Sequence, residues 1–294
     1  MTIRVTPSPS LVGVLPSRRI TSSPSIFLRP RKSLFHLDLG AVWQYRELLF
    51  FLIWRDVKVR YKQTLIGAAW AILQPLLTMA VFTVIFGKFA KIPSDGLPYP
   101  IFAYTALLPW TYFAQAISQS GVSLVNDADL IKKVYFPRLI VPISAAVAPL
   151  VDFAIAFVLL LGMMAWFGIA PIWGMVALPF FLLLSLMTAL AVSLFLSALN
   201  VRYRDVRHAI PFLTQFWMYA SPVVYSVSLI PEQWRYFYSL NPMVGVIEGF
   251  RWALLGKASP DFGVMAVSTS VVLVLFLGGI IYFKAMERTF ADIV

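Results

Sequence analysis

The chain has no cysteine and only two histidines, His36 and His208, which stand far apart. A disulfide framework and a thiolate metal site are excluded, and neither histidine has a second ligand nearby with zinc-site spacing. Charge is scarce: Asp, Glu, Lys and Arg make up 13% of the 294 residues, against roughly 25% in an average soluble domain. There is no Gly-x-x-x-x-Gly-Lys-Ser/Thr loop, no His-Glu-x-x-His pair and no Gly-x-Ser-x-Gly elbow. The residues that would hydrolyse ATP, hold a zinc water or present a serine nucleophile are therefore missing from the chain. In their place are apolar side chains, at 60% of the sequence, more than the interior of a water-soluble fold of this size can hide.

The formal net charge is +11, but the cations are not gathered on a soluble face as a nucleic-acid binder requires; most lie between apolar runs. Stretches long enough to cross a bilayer, roughly 20 residues, occur at about 66–87, 101–123, 139–167, 173–199, 210–228 and 262–283. With the N-terminus inside, all but Lys88, Lys91, Arg235, Arg251 and Lys257 of the 24 Lys and Arg fall in cytoplasmic flanks and loops, which places both termini in the cytoplasm. Residues 1–36 mix Pro, Ser and Arg without an apolar core and cleavage site, so they read as a flexible cytoplasmic tail rather than a signal peptide.

Residues 37–65 read as an amphipathic helix lying along the membrane surface: Phe50, Trp54, Val57 and Tyr61 recur at spacings of three and four, while Arg55, Lys58 and Lys62 fall on another face. Residues 229–257 are apolar enough to suggest a further span, but Asn241-Pro242 breaks them. Asn suits a helix cap and Pro a first turn, and the 242–255 piece at about 21 Å is too short to cross. Two short re-entrant helices in the outer leaflet are expected, with Trp234, Tyr236, Phe237, Tyr238 and Trp252 near the interface. The fold class is thus an all-α integral membrane protein. A transmembrane domain over 66–290 carries six spans, preceded by the interface helix.

Two inside loops carry candidate chemistry. In the first, Asn126 is placed to cap a short helix with Asp127 and Asp129 in its first turn and Lys132 and Lys133 later, matching the helix dipole before Pro137 stops it. That helix either docks a partner or simply closes the loop. In the second, Arg202, Arg204, Asp205 and Arg207 stand close together, either pairing internally, meeting a phosphate or expressing the positive-inside bias. Asp152 is the only carboxylate well inside an expected span, and it either bonds across to Ser, Thr or backbone groups of another helix or lines a pathway.

The stretches RDVKVRYKQTLIGAAWAILQP, LLPW at 107–110, KKVYFPRLIVP, ALNVRYRDV, SPVVYS and LNPMVGVIEGFRWALLG resemble, in that order, the type-2 class of ABC export permeases, and most of all its polysaccharide and teichoic-acid exporters. The resemblance covers about residues 43–290. It implies a homodimer docked on a separate nucleotide-binding ATPase, which would bind ATP and Mg; this chain would hold no cofactor and is not expected to be an enzyme. It implies that residues 126–136 form the coupling helix, with Asp127, Asp129, Lys132, Lys133 and Tyr135 facing the ATPase, and that 229–257 shape the exit. The implied cargo is a lipid-linked O-antigen or capsule chain, undecaprenyl-diphosphate-linked, crossing the bacterial inner membrane. Arg55, Arg60 and Lys62, with Arg202, Arg204 and Arg207 as second choice, are then candidates for the diphosphate headgroup. Tyr104, Trp110, Tyr112, Phe113, Trp217, Tyr219 and Tyr225 are candidates for a glycan channel, with lipid contact or helix packing as the alternative for each. Rival readings are export of a teichoic acid, drug or small lipid, an ATP-independent or proton-coupled flippase dependent on Asp152, and a membrane-embedded lipid-sugar transferase; no partner made of nucleic acid is expected.

Overall fold

The structure is a computed structural model that describes residues 39–62, 69–256 and 261–293; the expected tail at 1–36 and Lys257 lie outside these. Every regular element among the described residues is a helix. In order they are α1 (Leu39–Gln44), α2 (Arg46–Lys62), α3 (Ala69–Phe82), which widens into a π-helix over Thr83–Phe89, α4 (Tyr99–Asn126), α5 (Ala128–Lys133), α6 (Ile140–Val147), α7 (Leu150–Trp166), a 3₁₀ turn (Trp173–Ala177), α8 (Leu178–Arg202), α9 (Val206–Tyr219), a 3₁₀ turn (Val227–Leu229), α10 (Glu232–Tyr238), α11 (Pro242–Leu255) and α12 (Phe262–Ile293).

Four helical stretches are long and apolar enough to cross a membrane: Ala69–Phe89, Ile140–Trp166, Trp173–Arg202 and Phe262–Glu287. They correspond to the first, third, fourth and sixth spans expected from sequence. The other two expected spans differ for separate reasons. α4 has 28 residues, about 42 Å at the helical rise, but it is rich in Tyr, Thr, Ser and Gln. It packs against α3, α6, α7, α8, α9 and α11, so protein rather than lipid surrounds it, and Tyr104, Tyr112 and Ser120 find carbonyl partners there. α9 has only 14 residues, about 21 Å, and the expected stretch to residue 228 is not continuous helix. Pro222 disfavours helical backbone at Ser221 before it, and the chain turns through residues 220–226 instead.

The interface helix expected over 37–65 is divided at Tyr45 into α1 and α2, and the third span is interrupted between Val147 and Leu150, where Pro149 removes a backbone donor. The break at Asn241-Pro242 is found as read: the Asn241 side chain accepts from the Met243 N–H at 3.1 Å and Pro242 opens α11. Gly256 ends that helix at φ 66°, the left-handed cap that a Cβ disfavours. Trp234, Tyr236 and Phe237 on α10 are exposed, whereas Tyr238 and Trp252 are partly buried.

Two apolar cores run along the bundle. The larger is built on α4, α7, α8 and α11, and includes Phe102, Tyr104, Phe113, Phe181 and Phe250. The smaller joins α2, α4, α6, α8 and α12 through Leu52, Leu124, Ile140, Leu194, Phe283 and Phe290. Close backbone approach sustains this packing where lipid supplies no hydrophobic drive between helices. At Gly279 an added Cβ would sit 2.6 Å from the Ala191 carbonyl oxygen, so α12 and α8 meet there only because the side chain is absent. Ser193 and Ser197 are fully buried in α8 and serve the same packing. Outside, α3 shows Leu73, Leu77 and Val81 and α12 shows Leu273, Val274 and Leu277, the apolar exterior that a lipid-facing bundle presents.

Candidate functional site: the charged network around α5

α4 ends at Asn126 and α5 follows after one residue, Asp127. The smaller core gathers α4's last turns with the last turns of α8, so α5, the α8–α9 loop and α2 share one end of the bundle. Asn126 does not cap α5 as the sequence suggested. The capping position is Asp127, whose side chain makes no cap bond, because a guanidinium holds it: Arg55 donates from Nη1 to Oδ1 at 2.8 Å and from Nη2 to Oδ2 at 2.9 Å. This two-point fork ties α2 to the α4–α5 junction. Arg55 Nε also donates to Asp56 at 2.9 Å. The bond to Asp127 raises the Arg55 pKa against partial desolvation, and burial raises that of Asp56 while Arg55 pulls it back down.

A second link lies one helical turn on. Arg60 donates to Asp152 Oδ2 and to Gln119 Oε1, and the Tyr61 hydroxyl donates to Asp152 Oδ1. Both oxygens of Asp152, which is 8% exposed on α7, are therefore occupied by α2. The partners are a cation and a phenol rather than the Ser, Thr or backbone groups expected.

α5 itself is anchored by Leu130 and Ile131, which pack on the smaller core. Asp129, Lys132 and Lys133 are exposed, and Tyr135 is 81% exposed beyond the helix end. Four of the five proposed coupling residues thus stand at the surface, and the fifth, Asp127, faces inward to Arg55.

The proposed headgroup cations divide in two. Arg55 and Arg60 are paired within the subunit, because α2 places them over carboxylates of α4–α5 and α7. Lys62, Arg202, Arg204 and Arg207 are exposed at the same end, with Arg202 over the Tyr203 ring at 5.4 Å and Arg207 Nε donating to His208 Nε2 at 3.1 Å.

The proposed channel aromatics are mostly inside the subunit. Tyr104, Trp110, Tyr112 and Phe113 are buried in the larger core. The hydroxyls of Tyr104 and Tyr112 donate to the Ala156 and Ala146 carbonyls, each at 3.2 Å. These four rings pack α4 into the bundle and offer no free face to a channel. Trp217 stands edge-on to Phe113 at 5.2 Å and donates to Asn241 at 2.9 Å. Tyr225 bonds the Tyr238 hydroxyl at 2.8 Å. Tyr219 is half exposed, on a face of α9 that also carries the stacked rings of Phe212 and Phe216. Those last two were missed, although their spacing of four was legible.

At the opposite end is a charged group that the reading of loops also missed. Arg251, counted there only as a cation outside the cytoplasmic flanks, is 7% exposed. It donates to Glu248 Oε1 at 3.0 Å, to the Val223 carbonyl at 3.0 Å and to the Tyr225 carbonyl at 3.2 Å. Its guanidinium lies 3.6 Å from the centre of the Phe102 ring. The signal was the Glu-x-x-Arg spacing in an otherwise apolar helix.

The profile of the ABC-2 type transporter family matches residues 47–255. The chain belongs to that family. It is 30% identical over 254 residues, 85% of this chain and 96% of the other, to the O-antigen export system permease protein RfbA of Myxococcus xanthus. A protein of the same name from Klebsiella pneumoniae is 26% identical over 84% of this chain and 95% of its own. The polysialic acid transport protein KpsM of Escherichia coli is 22% identical over 80% of this chain and 91% of its own. The matched residues run from the start of α2 to the end of α11, so they contain both charged groups. With four helices able to cross a bilayer, this member of the family is a membrane protein.

Proposed function

We propose that this chain is the permease subunit of an ATP-driven exporter that carries a lipid-linked polysaccharide, of the O-antigen or capsule kind, across a bacterial inner membrane. The observation that carries the reading is α5 and its surroundings: a short helix beyond the crossing helices, showing Asp129, Lys132, Lys133 and Tyr135 outward and tied to α2 by the Arg55–Asp127 fork. Force from a separate ATPase applied to α5 has a rigid route into the bundle, through Asp127 to α2 and on through Arg60 to Asp152 on α7. The relatives named for O-antigen export and polysialic acid transport support a polysaccharide cargo. The occupied state of Asp152 argues against a proton relay. The active unit is proposed as two copies of the chain with two ATPase subunits, the exposed rings of α9 (Phe212, Phe216 and Tyr219) being the aromatics free to meet a glycan or the second copy. Lys62, Arg202, Arg204 and Arg207 are the cations free to meet a diphosphate on the inner leaflet.

The test is reconstitution in proteoliposomes with and without the ATPase subunit. Export of lipid-linked glycan is expected only with it, and Lys132→Glu combined with Lys133→Glu should lower export about tenfold or more while ATP is still hydrolysed, a loss worth about 1.4 kcal/mol of coupling. Export at the same rate by the chain alone would sink the assignment.

Six crossings with both termini in the cytoplasm are part of the same proposal. α4 crosses inside the bundle, and α9 crosses together with the turns that follow it. The absence of cysteine makes single-cysteine labelling direct. In spheroplasts a membrane-impermeant maleimide should label Gln233→Cys at once, and Lys132→Cys and Arg204→Cys only after the membrane is opened. Labelling of all three from one side would reject the topology.

A further inference from the structure

At the end of the bundle opposite α5, a cavity of about 310 Å³ opens among the loop before α4, the Val227–Leu229 turn, α11 and the start of α12. Asp95, Ser228, Arg235, Glu248, Arg251 and Asp261 supply its polar wall, and Trp252 supplies an aromatic one. The volume is at the lower limit of small-molecule sites, which run from roughly 300 Å³ upward.

The hydrogen bonds within the wall leave capacity to spare. Asp95 accepts from Ser228 at 2.9 Å and from Ser226 at 2.5 Å, so those hydroxyls are spent. Asp261 Oδ1 accepts from the N–H groups of Gly263 and Val264 at 2.9 and 3.2 Å, and Glu248 Oε1 accepts from Arg251 at 3.0 Å. The second oxygens of Asp261 and Glu248 have no hydrogen-bond partner among the described residues, and Glu248 keeps 24% of its side chain accessible. On the donor side, Arg251 is more than nine-tenths buried with its Nε unpartnered, a state that buried polar groups rarely keep without a reason.

Unused carboxylate oxygens, unused guanidinium N–H groups and an indole call for a ligand whose groups both donate and accept and which has an apolar face. An anion fits poorly, because three carboxylates line the wall and both arginines already have acidic partners. A metal ion lacks ligands, since no group of three or more His, Cys, Asp or Glu side chains suited to one occurs among the described residues. A neutral sugar ring meets each requirement: hydroxyls donate to Glu248 and Asp261 and accept from arginine, and the C–H face lies on Trp252.

We propose that this cavity is a docking subsite for one sugar unit of the exported chain on the side where it leaves the membrane, an inference that rests on the polysaccharide-export reading. Its consequence is that glycan leaving the bundle is held briefly by α11, the helix whose Arg251 also fastens the turn after α9.

The experiment is saturation-transfer difference NMR on the permease with its ATPase partner in nanodiscs. The probes are methyl mannoside, methyl galactoside, N-acetylglucosamine and L-rhamnose, with inorganic phosphate as competitor, and glycan export is measured in parallel. At least one sugar should show ring-proton signals that phosphate does not reduce. Met265→Trp, which fills the cavity from α12, should abolish them, and Glu248→Gln should weaken affinity about tenfold. Unaltered size-exclusion behaviour shows that each variant is folded, and Trp252→Ala replaces Met265→Trp if that variant fails to fold. Signals that persist in the filled variant, or that phosphate displaces, overturn the subsite. Absence of signal from every sugar while export proceeds overturns the subsite and leaves the export reading intact; absence of both removes the two together.

Discussion

Replacing Arg60 with alanine is expected to destabilise the protein by on the order of 3 kcal/mol and to stop export. The reason is the group left behind. Asp152 lies on a crossing helix with 8% of its surface exposed, and its cation partner among the described residues is Arg60. Removing one partner of a buried pair typically costs about 3–5 kcal/mol, because the other charge stays desolvated. The value is set at the lower end since Arg60 keeps 24% of its side chain accessible, where solvent screens part of the interaction. Thermal unfolding in detergent measures the loss. The double replacement Arg60→Leu with Asp152→Leu removes both charges and should recover most of the stability, but not export, because α2 would no longer be linked by charge to α7. A single-variant loss below about 0.5 kcal/mol would mean that the pair behaves as a surface ion pair, and the route from α5 through α2 to α7 would fall with it.

Arg251→Ala should cost more, about 3–5 kcal/mol, and should reduce the yield of monodisperse protein. Four contacts vanish at once: the pair with Glu248, the bonds to the Val223 and Tyr225 carbonyls, and the guanidinium over Phe102. The two carbonyls belong to the non-helical turn after α9, so they have no helix partner to return to, and an unpaired buried carbonyl is itself costly. Arg251→Lys keeps the charge but not the planar fork that reaches two carbonyls and a carboxylate together, so it should restore only part of the loss. Equal stability of the lysine and wild-type proteins in thermal unfolding would show that charge alone matters at this position.

These two arginines show where reading the sequence stops. In the sequence both are cations sorted by the side of the membrane on which they are expected, because orientation depends on charge number. Their roles depend on partners distant in the chain: Asp152 is 92 residues from Arg60, and Val223 is 28 from Arg251. The same holds for aromatics. Tyr104 and Tyr219 look alike in sequence, each on a helix of mixed polarity, yet one is fully buried and the other half exposed. Periodicity describes which residues share a face but not whether protein or lipid covers it.

What the sequence by itself determined is local or compositional. The surplus of apolar residues requires a bilayer, the ordered motifs place the chain in its family, and Asn241-Pro242 starts α11 because a cap bond and a proline at the first turn involve only neighbouring residues. Tertiary structure alone decided that α4 is the enclosed helix, that Arg55, Arg60 and Arg251 are each paired with a carboxylate inside the subunit, and that α11, α12 and the 227–229 turn enclose a polar cavity. The physical reason is that desolvation and charge pairing are settled by what lies across a few ångströms of space, and in a helical bundle those neighbours come from helices far apart in the chain.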